Sequence, residues 1–236
     1  MKTRIKICGI TNAADARQAV ACGADYIGII VNIAGTPRSV SVASAARLRA
    51  TCNVPVVVVA DMEPEVLCDA LAAIRPAGVQ LVGRYTDAAV RTIVRCAPCA
   101  VWRTVYIAPA GTEHDLRGLR ATIAASGRAG VEALVCDTGI AGKKGGTGVA
   151  ADWRTARTVV DNSTLPVFLA GGITPDNAGD ALEQVRPYGI DVSSGVEQRP
   201  GVKDHRKIER LIGIVRDHDA RHAGGACRGS SALDNR

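Results

Sequence analysis

Small residues follow the later apolar runs of this 236-residue chain, where they could hold a phosphate group. Glycine and serine turns after buried strands leave backbone N–H groups uncovered, and such groups bind anions. A helix that begins at the turn adds the positive end of its dipole. A plain strand-to-helix turn is the alternative interpretation. The candidates are Gly146, Gly148, Gly171, Gly172, Ser193, Ser194 and Gly195.

Two titratable side chains end other apolar runs and could transfer protons. Cys8 ends the first run, beside Gly9, and Asp137 follows the sixth. Positions at the carboxyl ends of barrel strands are often functional. A cysteine that is simply buried and an aspartate that only stabilises a turn are the alternatives. Arg38, in the loop after the second run, could hold a carboxylate with its planar guanidinium or could be an ordinary surface residue.

Short apolar runs alternate along the chain with Ala-, Leu- and Arg-rich segments of helical spacing. Nearly continuous, β-branched runs are typical of parallel strands that are buried on both faces. They cover residues 4–8, 25–31, 54–60, 78–82, 100–107, 131–136, 166–170 and 189–193. The predicted helices cover residues 12–22, 42–51, 63–74, 87–96, 113–126, 152–160, 175–185 and 204–218.

Eight strand–helix units predict an α/β protein with one (β/α)8 TIM-barrel domain. A doubly wound open sheet is the alternative, but no GxGxxG motif follows the first run. Because only 3% of the residues are aromatic, we expect a core of Val, Ile, Leu and Ala. We predict that the barrel spans residues 1–218. Residues 219–236 are rich in Gly, Ser, Arg and Asp and are predicted to form a flexible tail.

The composition limits the kinds of molecule that the protein is expected to bind. The net charge is +6, but Lys and Arg are dispersed, so we expect an anionic small molecule rather than a nucleic acid. No apolar run has membrane-spanning length, and no signal peptide is recognised, so we expect a cytoplasmic protein without a membrane partner. Its eight cysteines should then be mostly reduced. Cys96 and Cys99 form a lone CxxC motif, which does not suffice for a zinc site, and their pairing is left open.

Seven motifs, in order and with matching spacing, resemble the phosphoribosylanthranilate isomerase family of tryptophan biosynthesis. They are Lys6-Ile-Cys-Gly-Ile-Thr11, Gly35-Thr-Pro-Arg38, Val79-Gln-Leu81, Asp137, Gly145-Gly-Thr-Gly148, Ala170-Gly-Gly172 and Asp191-Val-Ser-Ser-Gly-Val-Glu197 with Pro200-Gly-Val-Lys-Asp204. The resemblance covers residues 4–216, and its first and last motifs are fairly specific. It implies a TIM barrel that performs an Amadori rearrangement.

The resemblance also implies roles for the matching residues. Cys8 matches the general base, Asp137 the general acid and Arg38 the group that holds the anthranilate carboxylate. Gln80 and Asp191 would contact the substrate, and the glycines and serines named above would hold its phosphate. Ring opening needs an acid at the furanose oxygen, and isomerising the imine needs a base for the C2′ proton. This chemistry implies neither a metal ion nor another cofactor.

Three positions depart from the family pattern. Val82 stands where members usually carry histidine, Arg84 where acidic residues are common, and the second strand lacks the usual phenylalanine. These positions are expected on the side of the aromatic amine. The alternatives are therefore an isomerase for another N-phosphoribosyl amine and a non-catalytic phosphosugar-binding barrel. The sequence does not determine the oligomeric state.

Overall fold

Strands rich in Val and Ile, buried on both faces, close into a parallel barrel. The computed structural model describes residues 2–108, 115–138 and 152–225. Its strands are β1 (Arg4–Ile7), β2 (Tyr26–Val31), β3 (Ser39–Val40), β4 (Val56–Ala60), β5 (Gly78–Leu81), β6 (Ala100–Ile107), β7 (Ala133–Thr138), β8 (Val167–Leu169), β9 (Gly189–Val192), β10 (Glu197–Arg199) and β11 (Val202–Lys203). Parallel pairing runs from β1 through β2 and β4 to β9, and β1 also pairs with β9, which closes the sheet. The predicted single-domain TIM barrel is confirmed.

Helices return the chain from the carboxyl end of one strand to the amino end of the next. They are α1 (Ala13–Cys22), α2 (Val42–Ala50), α3 (Pro64–Ile74), α4 (Asp87–Cys96), α5 (Leu116–Ala129), α6 (Trp153–Asn162), α7 (Ala178–Val185) and α8 (His205–Gly225). The Asn12 side chain accepts a hydrogen bond from the Asp15 backbone N–H and so caps α1, which ends at left-handed Gly23. None of the described helices is both long and apolar enough to cross a membrane.

The few aromatic residues are concentrated inside the barrel. Trp102 and Phe168 stack with their ring centroids 4.7 Å apart, and Tyr26 and Tyr188 pack edge-on against Phe168. Tyr26 begins β2 and Tyr188 directly precedes β9, so these rings close the amino-terminal end of the interior. The outer core, between strands and helices, consists of Ile, Val, Leu and Ala as expected. The expectation of a core built from Val, Ile, Leu and Ala was therefore wrong only for the barrel interior, where large aromatic rings fill the central space.

The last helix extends past the predicted boundary at residue 218. α8 continues to Gly225, and the Asp219 carboxylate accepts hydrogen bonds from the backbone N–H and the hydroxyl of Thr3. Arg216 donates to the Thr3 carbonyl and pairs with Asp25. These contacts hold residues 216–219 of α8 against the start of β1, so the predicted boundary at residue 218 falls inside this helix. Residues 226–236 lie outside the described part of the chain.

A disulfide joins two neighbouring helices on the outside of the barrel. Cys68 of α3 pairs with Cys96 of α4, and their Cα atoms are 6.1 Å apart. The packing of α3 against α4 brings together these two cysteines, which are 28 positions apart, while the five other described cysteines are free, in line with mostly reduced thiols. Cys99 has a free thiol, so Cys96 does not pair within the CxxC motif.

Candidate active site

A cavity of about 740 Å³ opens at the carboxyl ends of the barrel strands. Active sites of TIM barrels lie at this end. The lining includes every predicted site residue that falls within the described part of the chain: Cys8, Arg38, Gln80, Asp137, Gly171, Gly172, Asp191, Ser193, Ser194 and Gly195. Gly146 and Gly148 lie outside the described residues. The structure thus brings together side chains from six separate strand ends or loops.

Cys8 follows β1, and only 7% of its surface is exposed. Burial raises the pKa of its thiol, while the ammonium groups of Lys6 and Lys203 act in the opposite direction. A thiol acts as a base through its thiolate, which a lowered pKa would favour. The pKa of Cys8 is raised instead, because burial outweighs the two positive charges.

A layer of polar side chains lies beneath the cavity floor. The fully buried Lys6 ammonium donates to Gln80 Oε1 at 2.6 Å and to Asp191 Oδ2 at 2.7 Å. Gln80 in turn donates to the Thr104 hydroxyl at 3.1 Å. The other oxygen of Asp191, Oδ1, is buried without a hydrogen-bond partner among the described residues. Because Asp191 lines the cavity, this oxygen is available to accept a hydrogen bond from a ligand.

Asp137 is a carboxyl group that can carry a proton near neutral pH. Burial raises its pKa to about 6, with a further contribution from the negative charge of Asp191. A hydrogen bond from the Thr138 backbone N–H to Asp137 Oδ1, 2.8 Å long, acts against this shift. General acids work best when their pKa is close to the working pH. The position and pKa of Asp137 both suit proton donation into the cavity.

Two loops require glycine where they line the cavity. Gly171 and Gly172 follow β8 with φ of 82° and 67°, a conformation that favours glycine. At Gly195, after β9, a Cβ atom would collide with the carbonyl oxygen of Ile173. The β8 and β9 loops therefore touch each other directly, and their backbones can approach a ligand closely. The geometry suits a phosphate held by backbone N–H groups.

Arg38 forms a two-pronged ion pair with Glu197. Its Nε and Nη2 lie 2.9 and 2.6 Å from the two carboxylate oxygens, and Lys203 Nζ lies 3.0 Å from Glu197 Oε1. Although burial acts in the opposite direction, these cations lower the pKa of Glu197. Lys203 also donates to the Ser193 carbonyl, 3.1 Å away. Glu197 and Lys203 thus connect Arg38 to the β9 loop. All three residues belong to the sequence motifs, but the motifs alone did not indicate that their side chains contact one another.

The departures from the family pattern occupy two different places. Val82 lines the main cavity, whereas Arg84 lines a neighbouring cleft instead. Of these two residues, only Val82 therefore lines the cavity that contains the predicted site residues. Sequence reasoning also missed Asn32 and Asp61, which line the cavity after β2 and β4. Asn32 has a left-handed backbone with φ of 51°, and its position just after a strand was the available signal.

Comparison with known proteins gives a consistent result. A family model described as N-(5′-phosphoribosyl)anthranilate (PRA) isomerase matches residues 5–213. The N-(5′-phosphoribosyl)anthranilate isomerase of Halobacterium salinarum is 39% identical over 217 residues, which cover 89% of this chain and 94% of the relative. The crystal structure of phosphoribosyl anthranilate isomerase from Thermotoga maritima superposes with a TM-score of 0.78 at 30% identity, covering 91% of this chain and 99% of that one. A structure of such an isomerase in complex with reduced 1-(o-carboxyphenylamino)-1-deoxyribulose 5-phosphate has a TM-score of 0.75 at 29% identity, with 91% and 99% covered.

Proposed function

The chain belongs to the N-(5′-phosphoribosyl)anthranilate isomerase family of tryptophan biosynthesis, and we propose that Cys8 and Asp137 perform its Amadori rearrangement as general base and general acid. The observation that carries this assignment is that both groups line one cavity together with the glycine loops that suit a phosphate. The substrate would be N-(5-phosphoribosyl)anthranilate. The product would be 1-(2-carboxyphenylamino)-1-deoxyribulose 5-phosphate.

Asp137 opens the ribose ring. Its proton passes to the furanose oxygen, the bond between that oxygen and C1′ breaks, and the amine lone pair forms an iminium at C1′. A pKa of about 6 leaves part of the Asp137 population protonated at neutral pH. A substrate that carries a phosphate and a carboxylate adds negative charge nearby and favours the protonated form further.

Cys8 completes the isomerisation. Its thiolate removes the proton from C2′, and the electron pair forms a double bond between C1′ and C2′. The resulting enaminol then takes up a proton at C1′ as its C2′ hydroxyl becomes a ketone. No net electrons or atoms are gained or lost. Because burial raises the Cys8 pKa, thiolate is scarce in the free protein, but each thiolate that forms is a strong base.

The remaining lining residues hold the ends of the substrate. The backbones around Gly172 and Gly195 bind the phosphate, with Gly171, Ser193 and Ser194 beside them. Glu197 occupies only two of the guanidinium N–H groups of Arg38, so the others remain for the anthranilate carboxylate. The unpartnered Asp191 Oδ1 accepts a hydrogen bond from a ribose hydroxyl, and Gln80 holds Lys6 in place beneath it.

A second candidate substrate is another N-phosphoribosyl amine, and Val82 is the observation that favours it. This side chain contributes only apolar surface to the cavity at the position where family members usually have an imidazole. A missing polar contact weakens discrimination between amines. The phosphate and proton-transfer groups would serve either substrate.

Growth rescue combined with a direct assay tests the proposal. The gene should restore growth without tryptophan to a strain that lacks this isomerase, and the purified protein should convert N-(5-phosphoribosyl)anthranilate. Cys8→Ala and Asp137→Asn should lose most of their turnover in the direct assay. Near-normal turnover of either variant would remove that residue from the mechanism. Binding of the product analogue without turnover by the wild-type protein would favour the non-catalytic phosphosugar-binding barrel.

A further inference from the structure

Three potential metal ligands meet far from the proposed active site, between α7 and α8. Glu183 lies near the end of α7, and His218 and His222 lie one turn apart in the second half of α8. α8 begins at the carboxyl end of the barrel, so His218 lies about 20 Å along it at a rise of 1.5 Å per residue. The contact between Asp219 and Thr3, just before β1, places this segment at the amino-terminal end.

The donor atoms are spaced as the ligands of one small cation. Glu183 Oε1 lies 3.2 Å from His222 Nε2 and 3.6 Å from His218 Nε2. All three ligand atoms lie within 4.8 Å of one another. Zinc bonds of about 2.0–2.1 Å in a tetrahedron give ligand-to-ligand edges of about 3.4 Å. The two distances from Glu183 Oε1 bracket that edge, and the 3.6 Å contact is too long for a hydrogen bond.

His222 is oriented as a metal-ligating histidine commonly is. Its Nδ1 lies 2.9 Å from the backbone carbonyl oxygen of His218. A carbonyl oxygen only accepts hydrogen bonds, so Nδ1 carries the proton. That leaves Nε2, which lies on the side of Glu183, as the nitrogen that would bind a metal ion. Metal-bound histidines are held in this way, by a hydrogen bond from the ring nitrogen that does not bind the metal.

His218 supplies a second, independent observation. The residue is only 9% exposed, yet neither of its ring nitrogens has a hydrogen-bond partner within the described part of the chain. Its ring stacks on that of His222 with centroids 4.2 Å apart. Buried polar atoms normally have partners. A cation bound by Nε2 would provide the missing partner, and the two stacked rings would turn so that both Nε2 lone pairs point at it.

We propose that Glu183, His218 and His222 bind a divalent transition-metal ion of the zinc type, which joins α7 to α8 at the amino-terminal end of the barrel. Two imidazoles and one carboxylate suit zinc, nickel or cobalt, whereas magnesium and calcium prefer oxygen ligands. Glu183 and His222 are about half exposed, so water can complete the coordination. The amino-terminal end of a TIM barrel serves stability rather than catalysis. The ion would accordingly stabilise the fold without taking part in the isomerisation.

Thermal unfolding of the metal-stripped full-length protein tests this site. Zinc at a hundredfold excess over its Kd should raise Tm by about 5 °C or more. Magnesium at the same concentration should not raise it. Glu183→Gln and His222→Gln alter exposed side chains and should fold normally, but each should weaken zinc binding by roughly 10-fold or more. His205→Gln, at the opposite end of α8, is the matched control and should retain the full shift.

Cysteine thiols could also bind zinc, so the location of the ion is measured as well. A zinc-soaked crystal should show an anomalous difference peak between Glu183, His218 and His222. Cobalt in solution should give a spectrum without thiolate charge transfer. The proposal is overturned if zinc binds only at cysteines, or if Glu183→Gln and His222→Gln retain the Tm shift. Absence of any zinc effect would overturn it too, leaving a histidine–glutamate ion pair.

Discussion

Lys6 and Asp191 form an ion pair in the interior of the barrel, with Nζ 2.7 Å from Oδ2 and both side chains almost completely shielded. The pair fixes the charge balance beneath Cys8, because the Lys6 ammonium acts on both the thiol and the Asp191 carboxylate. It also leaves Asp191 Oδ1 without a hydrogen-bond partner among the described residues, in a side chain that lines the cavity. A buried lysine in a barrel strand therefore serves the site as well as the core.

Removing one member of this pair should be costly for stability. Lys6→Met leaves the Asp191 carboxylate buried without its partner, so we expect the free energy of unfolding to fall by about 3–5 kcal/mol. Chemical denaturation measures this change. Arg157→Met, which breaks the exposed Arg157–Asp161 pair on α6, is the control and should leave the denaturation midpoint unchanged. Equal behaviour of the two variants would mean that the buried pair adds nothing to stability.

Loss of the Cys8 thiol should stop proton abstraction without stopping binding. Cys8→Ala should lower kcat by about 10²-fold or more, as expected when a general base is lost. Its affinity for a reduced product analogue should change little, because the phosphate loops are untouched. Steady-state kinetics and calorimetric titration give the two numbers. Cys136→Ala removes another buried thiol and serves as the control. Near-normal turnover of Cys8→Ala would exclude Cys8 as the base.

The raised pKa of Asp137 leads to a prediction about the stability of the folded protein, which can be tested without substrate. Its folded-state pKa, about 6, lies above the ordinary value of 3.8, so ionised Asp137 destabilises the fold. Its contribution is therefore most favourable below pH 4 and is lost as the pH rises through about 6. Asp137→Asn should be inactive, yet above pH 7 it should be more stable than the wild type by roughly 1–3 kcal/mol.

Denaturation of both proteins from pH 4 to pH 8 measures this difference. A carbon-13 NMR titration of labelled aspartate should also show one carboxyl group that titrates near pH 6 and is missing from Asp137→Asn. If the stability difference does not change with pH, the carboxyl group has an ordinary pKa, and its suitability as an acid loses support.

Much of the barrel could be predicted because local pattern and topology agree. The run of valines in β4 is fully buried, which identifies a strand covered on both faces. Once eight such strands are parallel, all their carboxyl ends face one side. Cys8, Asp137 and Asp191 then had to lie near one another, although they are far apart in the chain. The alternation of elements therefore located much of the cavity lining from the sequence.

Contacts between distant segments could not be predicted in the same way. Nothing local indicates that Asp219 binds Thr3, and the polar composition around residue 219 instead suggested a tail. The Cys68–Cys96 disulfide depends on how α3 packs against α4. The pair formed by Arg38 and Glu197 depends on where two loops cross the barrel mouth. In each case the packing of distant segments determines which residue is the contact partner, and the composition of a single segment does not specify that packing.

The contact between Gly195 and Ile173 predicts which substitution should weaken substrate binding at the proposed phosphate site. A methyl group at position 195 would collide with the Ile173 carbonyl, so Gly195→Ala should displace the β8 and β9 loops. We expect the displaced loops to weaken phosphate binding by about 1.4 kcal/mol or more, which would raise KM for the substrate roughly tenfold or more. Gly213→Ala, in α8 with open space around the new methyl group, is the control and should keep a normal KM. An unchanged KM in Gly195→Ala would place the phosphate elsewhere.

Val82 predicts the degree of selectivity for the amine. Its apolar side chain lines the cavity where a histidine would offer a hydrogen bond, so we expect anthranilate to be held mainly through Arg38. We expect measurable activity on the anthranilate substrate, with a less than tenfold preference over phosphoribosyl adducts of other aryl amines. Val82→His should raise kcat/KM for anthranilate and sharpen that preference. Arg84→Ala should have little effect on it, because Arg84 lines the neighbouring cleft instead.

Competition between several phosphoribosyl aryl amines, followed by product analysis, measures this selectivity directly. Pairing Val82→His with Val82→Leu separates the new imidazole from a change of side-chain size, because leucine fills space without adding a polar atom. If only the histidine variant improves discrimination, the valine relaxes selectivity by omitting a hydrogen bond. If the wild-type protein already prefers anthranilate strongly and Val82→His loses activity, another residue of the lining compensates for Val82. The case for a different amine substrate would then have lost the observation on which it rests.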